Sequence, residues 1–265
     1  MTIGLAIAIV TVVGLLGAVI LVLAAKFMHV EEDPRIGEVN GCLPGANCGA
    51  CGYAGCADYA KAIVEAGAAV NKCVPGGAKT ADAVAAVMGV DAGATAVVKA
   101  VAACQGKPGV CGQRFDYSGI QSCAAAAALH GGPKACVFSC IGLGDCVKAC
   151  KFDAIHIVEG IAQVDTAKCT GCGACAAVCP NSVISIIPEH KRKPVVLCQN
   201  KDKGALTRKA CTAGCIGCMK CAKACPKEAI TVENNVAYID QSKCVGCQLC
   251  VKECPVGVIH VPANM

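Results

Sequence analysis

Cysteine is the residue through which this chain can do chemistry, since 26 of its 265 residues are cysteine. Three runs share the spacing C-x2-C-x2-C-x3-C-P and begin at Cys169, Cys215 and Cys244. In this spacing three thiolates on a tight loop bind one [4Fe–4S] cluster, and the fourth thiolate serves the other cluster of a pair. Zinc sites more often show two separated C-x2-C knuckles. The spacing therefore predicts iron–sulfur clusters.

An internal repeat relates the two halves of the C-terminal region, because Cys136 corresponds to Cys211, 75 positions further on, and the following cysteines keep that offset. Spacing predicts two clusters in the second copy, one held by Cys215, Cys218, Cys221 and Cys254 and the other by Cys225, Cys244, Cys247 and Cys250. In the first copy it predicts one cluster on Cys150, Cys169, Cys172 and Cys175.

The first copy departs from the pattern, because Leu143 stands where the second copy has Cys218. Its other cluster therefore has three ligands in the expected places. We assign Cys136, the nearest spare thiol, as the fourth, so the predicted set is Cys136, Cys140, Cys146 and Cys179. A three-iron cluster with three ligands is the alternative.

A further cysteine group lies near the N-terminus and comprises Cys48, Cys51, Cys56 and Cys73. Glycines surround its first three members and let the backbone approach an inorganic core, which predicts another [4Fe–4S] site. A zinc ribbon is the alternative. These five sites leave six cysteines, and we expect a sixth cluster on Cys104, Cys123, Cys198 and Cys211. Cys111 could replace any of these four, Cys42 has no assigned role, and inert buried thiols are the alternative.

The N-terminal segment predicts a membrane-spanning helix, because Thr2 to Ala25 is an uninterrupted run of 24 uncharged residues. Such a helix is about 36 Å long, enough to cross a bilayer. A basic n-region, as in a cleavable signal peptide, is lacking. We expect the remaining chain to be cytoplasmic, where thiols stay reduced, and this excludes disulfides. The run has no ionisable residue, so we do not expect it to form an ion path.

The expected fold class is α+β, with one transmembrane helix, a small α-rich 4Fe–4S domain and tandem ferredoxin-like di-cluster modules. Short helices are expected near 80–88 and 94–103. The expected boundaries are a transmembrane helix at 1–26, a linker at 27–40, the N-terminal 4Fe–4S domain at 41–90, an Ala-rich connecting region at 91–133, module 1 at 134–188, a basic insert at 189–210 and module 2 at 211–265.

The residues LPGANCGACGYAGC at 43–56, the apolar N-terminal segment and the ferredoxin-like repeat together resemble the B subunit of the Rnf complex in its long form. The resemblance implies one component of a membrane-bound, ion-translocating ferredoxin:NAD oxidoreductase from an anaerobic bacterium. It implies a single-pass protein of the cell membrane that receives electrons from soluble ferredoxin. It also implies partner subunits that hold flavin, bind NAD and form the ion path.

No flavin or NAD site is expected in this chain, since no G-x-G-x-x-G follows a predicted strand. The chain alone then has no complete active site and no catalytic residue. A polyferredoxin subunit of a membrane hydrogenase or formate dehydrogenase is the first alternative, and a zinc-stabilised membrane scaffold is the second. Nucleic-acid binding is disfavoured, because only 3% of the residues are aromatic and the basic excess is local.

That basic excess lies in the insert, where seven basic residues face two acidic ones. The seven are Lys191, Arg192, Lys193, Lys201, Lys203, Arg208 and Lys209. The insert is predicted to dock either an acidic ferredoxin or anionic lipid headgroups. A solvated surface loop is the alternative.

Overall fold

One long helix precedes the cysteine-bearing units. The computed structural model describes residues 2–27, 33–189 and 192–262. Helix α1 covers Thr2–Phe27 and contains the whole uncharged run. Over the described ranges, no helix is found that is long and apolar enough to span a bilayer. The predicted membrane span is thus not confirmed.

The N-terminal unit consists of three helices around an apolar core. They are α2 (Pro34–Cys42), α3 (Cys56–Ala66) and α4 (Gly77–Met88). Tyr59 and Ile63 of α3 pack with Val39 and Val84, all almost fully buried. The sequence predicts a polar linker over 27–40, but residues from 34 onward form α2. The Asp33 carboxylate caps this helix by accepting from Arg35 N, and burial of Val39 holds it against α3.

Module 1 contains a strand that the sequence does not predict. Strand β1 (Val98–Ala102) pairs antiparallel with β4 (Ile184–Pro188), with Ala100 opposite Ile186. The helix expected near 94–103 is therefore wrong. β-Branched Val98 and Val101 suit a strand, and Ala100 is buried between them against the module core. The partner strand lies more than 80 residues away, so local periodicity could not find it.

The rest of module 1 alternates very short helices with a hairpin. Its elements are α5 (Cys123–Ala127), α6 (Asp145–Ala149), β2 (Ile155–Val158), β3 (Ile161–Val164) and α7 (Ala174–Ala177). Strands β2 and β3 pair antiparallel around the turn Glu159-Gly160, in which both residues have positive φ.

Module 2 repeats this plan. Its elements are β5 (Val195–Val196), α8 (Gly204–Ala210), α9 (Lys220–Lys223), β6 (Ile230–Glu233), β7 (Val236–Ile239), α10 (Leu249–Glu253) and β8 (Ile259–His260). Strands β6 and β7 form the hairpin, and β5 pairs with β8 as β1 pairs with β4. The Ala-rich region and the basic insert therefore each supply one strand of a two-stranded sheet in the module that follows.

Candidate iron–sulfur sites

The cysteine loops are shaped by glycines with left-handed backbone. In module 1, Gly171 lies between Cys169 and Cys172 with φ +73°, and a Cβ placed there would come within 2.3 Å of the Val98 carbonyl oxygen. Only glycine permits this approach of the loop to β1. Helix α7 then follows Gly173 and carries the third loop thiol, Cys175.

Because the loop lies so close to β1, Gly171→Ala should destabilise the protein more than the matched control Gly246→Ala. Both glycines have φ +73°, so each substitution costs about 1 kcal/mol of backbone strain. At Gly246 the nearest atom is the Arg192 oxygen at 3.2 Å, whereas Gly171→Ala must also displace β1, at a further cost of about 1–3 kcal/mol. Denaturant unfolding and retained iron should both show the larger loss for Gly171→Ala. Equal losses would contradict the argument.

One predicted set of module 1 comes together in the structure, and we call it group 3. Its members are Cys150, Cys169, Cys172 and Cys175. Burial, together with the neighbouring Cys169, Cys172 and Cys150, raises the pKa of Cys175 to about 11. When several of four neighbouring thiols are ionised, their negative charges repel one another unless a cation lies among them. Such a set is suited to a metal core.

Module 2 brings together both of its predicted sets. Cys215, Cys218, Cys221 and Cys254 line one cavity (group 4). Cys225, Cys244, Cys247 and Cys250 line another (group 5). Burial raises the pKa of Cys221, and the sulfurs of Cys215, Cys218 and Cys254 raise it further.

The fourth cysteine of each motif is held in the same way in both modules. In each case the sulfur accepts a hydrogen bond from the backbone N–H four residues later. The pairs are Ala154 N to Cys150 at 3.4 Å, Val183 N to Cys179 at 3.3 Å, Ala229 N to Cys225 at 3.4 Å and Val258 N to Cys254 at 3.4 Å. N–H donors aimed at sulfur stabilise a thiolate ligand.

The N-terminal set, group 1, also comes together. Burial raises the pKa of Cys73, and the sulfurs of Cys56, Cys48 and Cys51 raise it further. Asn47 fixes this loop on α3, because its side-chain oxygen accepts from Cys56 N at 2.8 Å.

The remaining set of module 1, group 2, differs from the prediction. One cavity is lined by Cys123, Cys140, Cys146 and Cys179. Burial raises the pKa of Cys146 to about 12, with Cys140, Cys123 and Cys179 contributing. Cys136, the predicted fourth ligand, does not line this cavity, and Cys123 lies there instead.

The position of α5 explains why Cys123 lies in this cavity. The Asp145 carboxylate at the start of α6 accepts from Ser122 Oγ at 2.8 Å and from Ala124 N at 3.1 Å. These bonds hold Cys123 beside Leu143, the residue that replaces a cysteine in this copy. Cys123 lies in an Ala-rich stretch without any spacing signal, so sequence reasoning could not place it here.

The predicted sixth set is brought together only in part. Cys104, Cys198 and Cys211 line one cavity, and Cys136 completes it in place of Cys123. Cys111 lies against Cys136 and Cys211. Cys42 ends α2 and packs against the N-terminal core, away from this cavity.

The residues present fit an iron–sulfur core. The donor sets consist of thiols, the soft ligands that such clusters use. Thr170 Oγ1, beside Cys169, is buried and has no hydrogen-bond partner in the described part of the chain. A cluster sulfide is an acceptor for this hydroxyl. Among the described residues, no three His, Cys, Asp or Glu side chains form a site for a single metal ion.

Comparisons with known proteins agree with this chemistry. Residues 43–75 match the family described as "Putative Fe-S cluster". Residues 139–183 and 214–258 match one family described as "4Fe-4S dicluster domain", and residues 168–229 match a second family of that description.

Several relatives are similar over most of the chain, and each is the B subunit of its complex. That of the Na(+)-translocating ferredoxin:NAD(+) oxidoreductase complex of Acetobacterium woodii is 47% identical over 233 residues, 88% of this chain and 70% of the relative. That of the ion-translocating oxidoreductase complex of Methanosarcina acetivorans is 42% identical, over 89% of this chain and 90% of the relative. That of the proton-translocating ferredoxin:NAD(+) oxidoreductase complex of Clostridium ljungdahlii is 41% identical, over 88% and 82%. The chain therefore belongs to the B-subunit family of the ion-translocating oxidoreductase (Rnf) complexes, a family of iron–sulfur electron-transfer proteins.

Proposed function

We propose that this chain relays single electrons from reduced ferredoxin toward flavin- and NAD-binding partner subunits of an ion-translocating ferredoxin:NAD oxidoreductase. The observation that carries the proposal is that the structure groups cysteine thiols in several sets of four along one chain. The names of the relatives support the donor and the acceptor. The relatives name different coupling ions, so we assign none.

Five groups would hold [4Fe–4S] clusters under this proposal. They are Cys48, Cys51, Cys56 and Cys73 (group 1); Cys123, Cys140, Cys146 and Cys179 (group 2); Cys150, Cys169, Cys172 and Cys175 (group 3); Cys215, Cys218, Cys221 and Cys254 (group 4); and Cys225, Cys244, Cys247 and Cys250 (group 5). When bound, such a cluster takes up and releases one electron at a time.

The protein around these groups shields them from water and leaves two sites accessible. Of the 26 cysteines, only Cys218 in group 4 and Cys247 in group 5 are exposed. Electron transfer between proteins needs a short distance from donor to acceptor, so a partner protein would contact module 2. The basic insert reaches both loops. Arg192 contacts the position of Gly246, and the Lys201 carbonyl accepts from Asn235, whose backbone lies against Gly217.

We further propose that α1 anchors the protein in the membrane, with the cysteine-bearing units on the cytoplasmic side. The support is the uncharged run of 24 residues together with exposed apolar side chains on several sides of the helix, such as Val10, Leu15 and Leu21. A helix of 26 residues is about 39 Å long, and the hydrocarbon core of a bilayer is about 30 Å thick.

The function is tested on full-length protein purified without air. We expect a brown protein of about 20 or more iron atoms and equal acid-labile sulfide per chain, which bleaches when reduced ferredoxin is added. We also expect it in the membrane fraction, with a variant lacking residues 2–27 released from it. A colourless zinc protein would refute the proposal. Co-purification with a nickel or molybdenum subunit would favour a hydrogenase or formate dehydrogenase arm instead.

A further inference from the structure

Five cysteines outside groups 1–5 lie where the two modules meet. Four of them, Cys104, Cys136, Cys198 and Cys211, line one cavity. The cavities of groups 4 and 5 are each lined by four cysteines in the same way. A cavity with four matching ligands is suited to the same occupant.

This cavity is built from two copies of one half-site. Cys104 follows β1 and Cys198 follows β5, the strands that pair with β4 and β8, and each cysteine is followed by glutamine. The second pair, Cys136 and Cys211, are counterparts in the sequence repeat. Each module therefore contributes one thiol after its added strand and one before its first cysteine loop.

The hydrogen bonds repeat as well. The Cys104 sulfur accepts from Gly106 N and from Cys140 N, both at 3.3 Å. The Cys198 sulfur accepts from Asn200 N at 3.4 Å and from Cys215 N at 3.3 Å. Cys140 and Cys215 are themselves repeat counterparts. The two half-sites thus agree in strand, sequence and hydrogen bonding.

The donors around these sulfurs suit thiolates that are bound to a metal. A third sulfur, that of Cys136, accepts from the Asn200 side-chain amide at 3.4 Å, and Asn200 is 1% exposed. A neutral thiol accepts hydrogen bonds weakly, whereas a metal-bound thiolate is stabilised by several N–H donors. Burial of an asparagine amide costs free energy unless it is satisfied, so this donor needs a strong acceptor.

We propose that Cys104, Cys136, Cys198 and Cys211 hold a sixth [4Fe–4S] cluster that connects the two ferredoxin modules. This inference rests on the proposed function and adds a ligand set and a position. Cys140 of group 2 donates to Cys104, and Cys215 of group 4 donates to Cys198. The site therefore contacts one ligand residue of each module, and it supplies the link between them.

Cys111 is excluded from the set on two grounds. It does not line the cavity, and its thiol hydrogen-bonds that of Cys211, with which it also forms an isolated β-bridge. It precedes the repeat, which begins at Cys136, so it has no symmetric partner. Serine at this position keeps a hydroxyl beside Cys211, so Cys111→Ser is expected to leave the site intact and serves as the control.

The test compares iron content in double variants of the full-length protein. Cys104→Ser alone should lower iron by about four atoms per chain, and Cys111→Ser should not. Adding Cys136→Ser to Cys104→Ser should cost no further iron, because both belong to one site. Adding Cys123→Ser should remove about four more, because Cys123 belongs to group 2. Further iron loss on adding Cys136→Ser, or no further loss on adding Cys123→Ser, would overturn the ligand set.

A kinetic measurement tests the connecting role and does not depend on the iron count. With electrons supplied by reduced ferredoxin, wild-type protein should bleach in one fast phase. In Cys198→Ser, the fast phase should fall to about two-fifths of the remaining amplitude, because only groups 4 and 5 stay on the donor side. A fast phase that covers all remaining sites would overturn the connecting role. Circular dichroism of each variant separates these results from misfolding, and iron-free wild-type protein would instead refute the proposed function itself.

Discussion

Removal of iron and sulfide is expected to unfold both ferredoxin modules while the N-terminal three-helix unit keeps most of its structure. The buried cores of the modules depend on cysteine, which makes up three of the eight buried residues in the core of module 2 and four of eleven in that of module 1. The helices there have four to seven residues, too short to persist alone. Without their metal such units lose the free energy that orders them.

The N-terminal unit differs because Cys73 is the single cysteine among its nine fully buried core residues. Tyr59 also ties α3 to the segment that follows it, since its hydroxyl donates to the Ala69 carbonyl at 2.7 Å and accepts from Lys72 N. Hydrogen exchange followed by mass spectrometry, before and after chelation under reducing conditions, resolves the units separately. Protection should disappear from β2, β3, β6 and β7 and should largely persist in α3 and α4. Uniform loss, or uniform persistence, would contradict the expectation.

The sequence predicts those thiol groups whose ligands are set by local spacing. In groups 3, 4 and 5 three ligands lie on one loop and the fourth follows a motif, so tertiary structure adds little. Group 2 draws Cys123 from outside the cysteine motifs, and its place is set by the Asp145 cap on α5 rather than by spacing. Strand β1 was not predicted for a similar reason: it is stabilised by pairing with β4, which is distant in the sequence. The placement of Cys136 depends on both modules at once.

The insert is basic whereas the cluster-loaded protein as a whole is acidic, and this contrast predicts where a donor docks. The formal net charge is +5 without clusters, and each oxidised cluster with four thiolates adds about −2, so the loaded protein is acidic. Of the insert's basic residues, Arg192, Lys201, Lys203, Arg208 and Lys209 are exposed, while Lys191 lies outside the described residues. An acidic donor would be drawn to this surface, which adjoins the exposed Cys218 and Cys247.

Neutralising Arg192→Gln and Lys201→Gln together should lower the second-order rate of reduction by ferredoxin about tenfold at low ionic strength. The difference should vanish at high salt, because exposed charges are screened within a few ångströms there. Lys193 is left unchanged, since its ammonium donates to the Gln241 carbonyl at 2.6 Å and supports the fold. Lys61→Gln with Lys79→Gln, on α3 and α4, makes the same change in net charge away from module 2 and should leave the rate nearly unaltered. If both double variants slow equally, overall charge governs the encounter and the insert is not the docking surface. If only the insert variant slows, electrons reach the protein through groups 4 or 5, since those are the groups with exposed thiols.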